Sequence, residues 1–187
     1  MSAMLTAPAQ KKLTAAEFAA RYETDRVELV DGVVVELPMP FAPHGKICMM
    51  MSFAFMEWAM KNDLGHFVSH DSWIQTQTDP DRVRGPDFCF AAYDRWPRGP
   101  LPQKVMDVAP NLVVEVRSPS DRWNAMMAKT LEYLTAGVTV VVVVDPQNES
   151  VDMYRNAQNP QSLTVADTLT IPDVLPGFAF PVARLFS

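Results

Sequence analysis

The sequence predicts an α+β fold, within the broad α/β class, on three observations. Two β-branched runs, residues 27–30 and 33–37, flank Asp31-Gly32, the dipeptide that favours a type I′ hairpin turn. Residues 112–116 and 138–144 are continuous apolar runs of central-strand type. A helical pattern lies between those two runs, and a longer one spans residues 45–60. With 187 residues, 48% hydrophobic and 20% charged, the chain has the composition of an ordinary folded domain. Its length fits one domain over residues 13–187, behind a flexible tail of residues 1–12.

Taken in order, residues 13–22 read as a short helix, because Thr14 followed by Glu17 has the spacing of a capping box. The hairpin follows. The helix over 45–60 carries two apolar stripes, one at Ile47, Met51, Ala54, Phe55 and Trp58, the other at Met49, Phe53, Met56 and Met60. Such a helix is buried on several sides or forms an interface. Flexible methionine usually fills a core, so core packing is the first reading and a homodimer contact the second. Residues 67–77 read as a strand with irregular alternation, 78–85 as a loop, and 88–91 as another strand. Four prolines make 94–110 a surface loop. The helix after residue 116 is expected to be capped by Ser118 or Ser120, with Pro119 in its first turn, and to end at Gly137. Residues 151–154 read as an edge strand and the remainder as irregular.

Charge and composition narrow the function classes. The net charge of −6, from 16 Lys+Arg against 22 Asp+Glu, opposes a protein that binds mainly by neutralising phosphates, so any nucleic-acid contact must rest on a local basic patch, a metal or weak binding. No run approaches the roughly 18–20 apolar residues that span a bilayer, and residues 1–12 lack a signal-peptide pattern. The two cysteines, Cys48 and Cys89, have no CxxC spacing, which predicts a reducing cytoplasm. His44, His66 and His70 together with those cysteines lack a complete ligand spacing, so a zinc or redox protein is set aside. On a strand, His66 and His70 would lie about 13 Å apart, too far to share a metal.

Chemistry enters with Glu115, a carboxylate inside the apolar run Leu-Val-Val-Glu-Val, where a buried charge requires a partner. Asp87 poses the same question. It follows Pro86 at the mouth of the apolar strand Phe88-Cys89-Phe90. A shared cation reconciles the two, and Mg²⁺, with Mn²⁺ as substitute, suits them because it takes a few carboxylate oxygens and keeps waters and sites for phosphate. Lys129 lies mid-helix between Met126 and Tyr133, placed to orient or activate water and to balance charge in phosphodiester hydrolysis. The bland alternative pairs Glu115 with Arg117, two residues on, and has Asp87 cap a turn or bind Arg84.

A series of ordered motifs goes further: Val27-Glu28-Leu29-Val30-Asp31-Gly32, His44-Gly45, Pro86-Asp87, Glu115-Val116-Arg117-Ser118-Pro119-Ser120-Asp121, Lys129 to Tyr133, and Gly137-Val138 through Val144-Asp145-Pro146. The series resembles the Uma-type family of restriction-endonuclease-like proteins, within the PD-(D/E)XK nuclease superfamily, over residues 13–187. That resemblance implies a restriction-endonuclease-like fold with a mixed, mostly antiparallel central sheet flanked by helices. It also implies Asp87 and Glu115 as metal ligands, Glu28 as the early acidic residue completing the set, and Lys129 as the catalytic lysine moved from strand to helix. His44 and Arg117 are possible accessory residues, although a guanidinium at 117 supplies charge and no proton. The expected function is a cytoplasmic, Mg²⁺-dependent endonuclease cutting DNA with a metal-activated water, acting as a homodimer and without a membrane. The alternative is a catalytically silent member of the same fold that works by protein binding or self-association.

Overall fold

The computed structural model describes residues 11–69 and 71–187. The expected tail therefore lies outside the described residues except for Lys11 and Lys12, and so does His70. In chain order the elements are α1 (Ala15–Tyr22), β1 (Val27–Val30), β2 (Val33–Glu36), α2 (Ala42–Lys61), β3 (Gly65–Ser69), β4 (Ile74–Gln77), β5 (Arg82–Arg84), β6 (Phe88–Ala92) and β7 (Leu112–Val116). There follow α3 (Trp123–Thr135), β8 (Val140–Asp145), β9 (Ser150–Tyr154), β10 (Gln161–Leu163), β11 (Thr168–Ile171), β12 (Leu175–Pro181) and α4 (Ala183–Phe186).

Among the described residues the strands form three sheets, ordered β10-β9-β8-β7-β6-β3, β2-β1-β5-β4 and β11-β12. Every strand pairing among them is antiparallel except β7 with β8, which α3 connects. This is the mixed, mostly antiparallel architecture that the motif series implies. No described helix is long and apolar enough to cross a membrane.

The apolar runs of β7 and β8 follow from burial on both faces. Val114, Val116, Val142 and Val144 pack with Ile47, Met51 and Phe55 of α2 and Phe178 and Phe180 of β12. The alternate set, Val113, Val141 and Val143, packs with Met126, Tyr133 and Leu134 of α3. In the four-stranded sheet, Val27, Leu29 and Val83 pack with Phe18 of α1. Period-two alternation then turns Glu28, Arg82 and Arg84 to the other face, toward α3.

Two local readings hold in atomic detail. At α1, the Thr14 hydroxyl accepts from the Glu17 N–H at 3.2 Å, and the Glu17 carboxylate accepts from the Thr14 N–H at 3.0 Å. The hairpin turn has Asp31 at φ 52 and Gly32 at φ 79, the two positive angles a type I′ turn demands.

Several expectations require correction. The strand expected over 67–77 is two strands in two sheets, β3 and β4, broken where Asp71 turns at φ 54. The loop expected over 78–85 contains β5, too short and too closely flanked by Asp-Pro and Gly-Pro to be read as a strand. α3 begins at Trp123, later than Ser118 or Ser120 would cap it, because the Asp121 carboxylate accepts the Ser118 N–H at 2.7 Å and closes a turn before the helix. β9 is not an edge, since β10 covers it, and residues 161–186, expected to be irregular, supply three strands and a helix.

In α2 the two stripes have different fates. Successive residues turn about 100°, which gathers Met49, Phe53, Met56 and Met60 within about 60° on the side away from Ile47, Met51 and Phe55. The first group is exposed, Met49 to 67% and Met60 to 72%, and the second is buried. Core packing therefore accounts for one stripe only.

Candidate active site

The site grows from the register of β6 and β7. Phe88 pairs with Val114, and one step further the antiparallel register sets Asp87 beside Glu115 on the face covered by α3. From α3, Lys129 reaches down between two carboxylates, its Nζ 2.8 Å from Glu115 Oε1 and 2.9 Å from Glu28 Oε1. One turn on, Tyr133 donates its hydroxyl proton to Glu115 Oε1 at 2.9 Å. Asp87 Oδ2 accepts the Val116 N–H at 2.6 Å and lies 3.3 Å from His44 Nε2, at the start of α2. A cleft of about 210 Å³ opens over these groups.

Glu28, Asp87, Glu115, Lys129 and His44 thus line one cleft, although 101 residues separate the first from Lys129 in sequence (129 − 28). Arg117 is not in its lining. It pairs with Asp145 at 2.8 Å and lies over the Trp123 ring at 5.3 Å, so the bland Glu115–Arg117 pairing does not form. Nor does Asp87 bind Arg84, which pairs instead with Glu28 at 2.8 Å and Glu132 at 2.6 Å.

The electrostatics are lopsided. Burial pushes the Glu115 carboxyl up to about 7; Lys129 opposes this, and the charges of Asp87 and Glu28 add to it. Burial works to lower the Lys129 ammonium, but Glu115 and Glu28 outweigh it and hold the group above the usual lysine range. Burial likewise would raise Glu28, yet Lys129 and Arg84 hold it below the usual carboxylate range. The hydrogen bond to Asp87 raises His44, against the effect of burial.

These properties decide what each group can do. Lys129 is a cation at neutral pH, so it orients and neutralises and does not accept a proton. Glu28 has both oxygens engaged, Oε1 by Lys129 and the Gly85 N–H, Oε2 by Arg84, so ligating an ion would require it to release a partner. Glu115 Oε2 and Asp87 Oδ1 make no hydrogen bond among the described residues. The charged lining comprises Arg26, Arg84, Arg122 and Lys129 against Glu28, Asp71, Asp87, Glu115 and Asp121, four positive against five negative. A divalent cation fits this donor set: it would meet two free carboxylate oxygens and turn the cleft's balance from −1 to +1.

Sequence reasoning missed three partners. Arg84 and Glu132 were hidden because β5 is hard to read as a strand; the period-two pair Arg82 and Arg84 around Val83 was the available signal. Tyr133 reads as an apolar neighbour, while its position four residues after Lys129 already places both on one face. A further grouping crosses element boundaries: His44, Cys48 and Asp87 offer ligand atoms all within 4.8 Å of one another.

Comparison with known proteins adds an independent line. A family model, Uma2, described as "Putative restriction endonuclease", matches residues 15–183. No curated protein matches significantly. Among solved structures, one described as a "putative nuclease" from Anabaena variabilis ATCC 29413 superposes with a TM-score of 0.81 at 20% identity, covering 93% of this chain and 97% of that one. At that identity the likeness speaks for the fold.

Proposed function

Because the chain belongs to the Uma2 family of restriction-endonuclease-like proteins, we propose that it hydrolyses DNA phosphodiester bonds in the cleft above Glu115, using Mg²⁺ or Mn²⁺. The observation that carries this reading is Glu115 itself, a buried carboxylate that the register of two central strands sets beside Asp87 in one cleft, its pKa raised by burial against the opposing charge of Lys129. Lys129 at Oε1 offsets its burial only in part, and Oε2 is left open toward the cleft for a further cation.

Asp87 and Glu115 would hold the metal through Oδ1 and Oε2. When bound, the ion supplies a Lewis acid for the phosphate and acidifies water. Lys129 donates hydrogen bonds into the cleft and offsets the charge that develops on phosphate oxygens. Tyr133 fixes the rotamer of Glu115, and the Val116 N–H fixes that of Asp87. Glu28, expected as the third ligand, holds Lys129 in place and joins the metal set by exchanging one of its present partners. His44 positions Asp87, while Arg117 braces Asp145 outside the cleft. Residues 13–187 act as one domain, and the two free cysteines favour a cytoplasmic setting.

The homodimer reading draws on the exposed stripe of α2. Met49, Phe53, Met56 and Met60 recur at steps of four, three and four, the spacing at which one helix seats against another. Light scattering of wild type and Met56→Lys checks it: a monomer in both removes the dimer.

Calorimetric titration of Mg²⁺ and Mn²⁺ into wild type and Glu115→Ala, followed by cleavage of supercoiled plasmid under the same conditions, tests the enzyme. Binding and cutting that vanish together in the variant support the reading. Wild type that neither binds nor cuts sinks it and promotes the silent, interaction-based alternative.

A further inference from the structure

Cys48 has no part in the nuclease reading, yet it stands beside His44, which lines the cleft. It lies four residues after His44 on α2, hence on the same face, with Sγ 3.5 Å from His44 Nδ1 and 4.0 Å from Nε2. His44 Nε2 is 3.3 Å from Asp87 Oδ2. A tetrahedral zinc with bonds of about 2.0 Å to nitrogen, 2.1 Å to oxygen and 2.3 Å to sulfur has edges of about 3.4 Å for N–O and 3.5 Å for N–S. The first edge is present; the second is too long by about half an ångström, and because Sγ lies nearer Nδ1 than Nε2 the half-buried Cys48 side chain must also swing toward Nε2 and Asp87, whose ligand atoms lie within 4.8 Å of it. Sequence spacing concealed the set because its third member comes from the mouth of β6, 39 residues beyond Cys48 (87 − 48).

A thiol is a poor ligand for Mg²⁺ and a good one for softer ions. We propose that His44 Nε2, Cys48 Sγ and Asp87 form a three-ligand site for Zn²⁺, or a similar borderline-soft divalent ion, with solvent at the fourth position. Binding forms an S–metal bond and releases the thiol proton to solvent. Asp87 belongs to both ligand sets, so zinc draws it from the hard-ion site and inhibits cutting; this consequence rests on the nuclease reading, and the binding itself does not.

Co²⁺ titrated into the full-length, reduced, metal-free protein reads the binding. Wild type gains a thiolate-to-cobalt charge-transfer band, Glu115→Ala keeps it, and Cys48→Ser loses it with affinity reduced at least about a hundredfold, the upper end of what losing even an outer partner costs. X-ray absorption of the wild-type Zn²⁺ complex, which needs no variant, gives one sulfur at about 2.3 Å. No band in wild type, a band that survives in Cys48→Ser, or a zinc shell without sulfur overturns the site. With excess Mg²⁺, Zn²⁺ blocks plasmid cutting by wild type at far lower concentration than by Cys48→Ser; equal sensitivity overturns the inhibitory coupling. A wild type that never cuts defeats the nuclease reading, while the cobalt band and the zinc–sulfur distance still decide the zinc site.

Discussion

Two clusters of charge meet α3 on the same side, one turn apart, and they are built to opposite rules. In the first, Arg82 and Arg84 face Asp31 and Glu132, two cations against two carboxylates. Their contacts are 2.7 Å from Arg82 to Asp31, 3.3 Å from Arg82 to Glu132 and 2.6 Å from Arg84 to Glu132, and the Thr76 hydroxyl also donates to Glu132. Glu132 and Asp31 are both held below the usual carboxylate range. In the second, Lys129 lies between Glu28 and Glu115, Arg84 reaches across to Glu28, and Asp87, beside Glu115, has His44 at 3.3 Å. Glu115 is the one carboxylate with a resolved shift, among the described residues, that moves upward. Proximity of charges is therefore common to both clusters; what sets the second apart, and supports the proposed site, is a carboxylate whose burial its partners do not fully offset.

If the contrast is correct, changes in the second cluster cost activity and changes in the first cost stability. The largest effect is expected for Glu115→Ala and for Lys129→Met, each lowering the plasmid-cutting rate by about a thousandfold, as loss of a group that stabilises developing charge does. Initial rates on folded variants check this, and a loss under tenfold would dissolve the distinction. Next comes Glu132→Ala, which leaves Arg82 only Asp31 and Arg84 only Glu28 and should cost about 2 kcal/mol in urea unfolding. Calorimetry on the same variant should return a near wild-type Mg²⁺ affinity.

A smaller effect sharpens the contrast through pH. With its pKa raised in the folded state, Glu115 contributes stability that is complete below pH 4.5 and is lost as pH climbs through about 7. The gap between those values corresponds to about 3 kcal/mol. Glu115→Gln keeps the acceptor for Tyr133 and removes this loss, offset in part by the missing Lys129 ion pair. The metal-free variant should therefore be about 1 kcal/mol more stable than wild type at pH 8 while being inactive, as thermal melts across pH will record. The smallest effect belongs to Arg117→Ala, whose partner Asp145 retains the Gln147 N–H and Asn148. A stability change near 1 kcal/mol with cutting essentially unchanged is expected, and a collapse of activity would move Arg117 into the site.

Much of this was legible in the chain because local rules coincide with the fold there. The Thr14–Glu17 capping box, the Asp31-Gly32 turn and the runs of β7 and β8 are each decided within about six residues. Glu115 and Asp87 stood out because carboxylates in apolar company are physically anomalous, and anomaly survives without knowledge of the partner. Arg84, Glu132 and Cys48 did not stand out, since each looks ordinary in its own stretch and acquires meaning through a residue on another element. The exposed stripe of α2 escapes a sequence reading for the same reason: periodicity reveals that two faces are apolar but not which one the core takes.

α3 is the shared wall of both clusters, through Lys129, Glu132 and Tyr133 on consecutive turns, and this has an evolutionary consequence. On the proposed reading, selection for cutting and selection for holding the sheets together act on neighbouring positions of a single helix, joined only through the Glu28–Arg84 pair. A lineage that ceased to cut would be free to lose Asp87 and Lys129 while remaining bound to the Arg84–Glu132 pair, so its descendants would drift at one turn of α3 and stay fixed at the next.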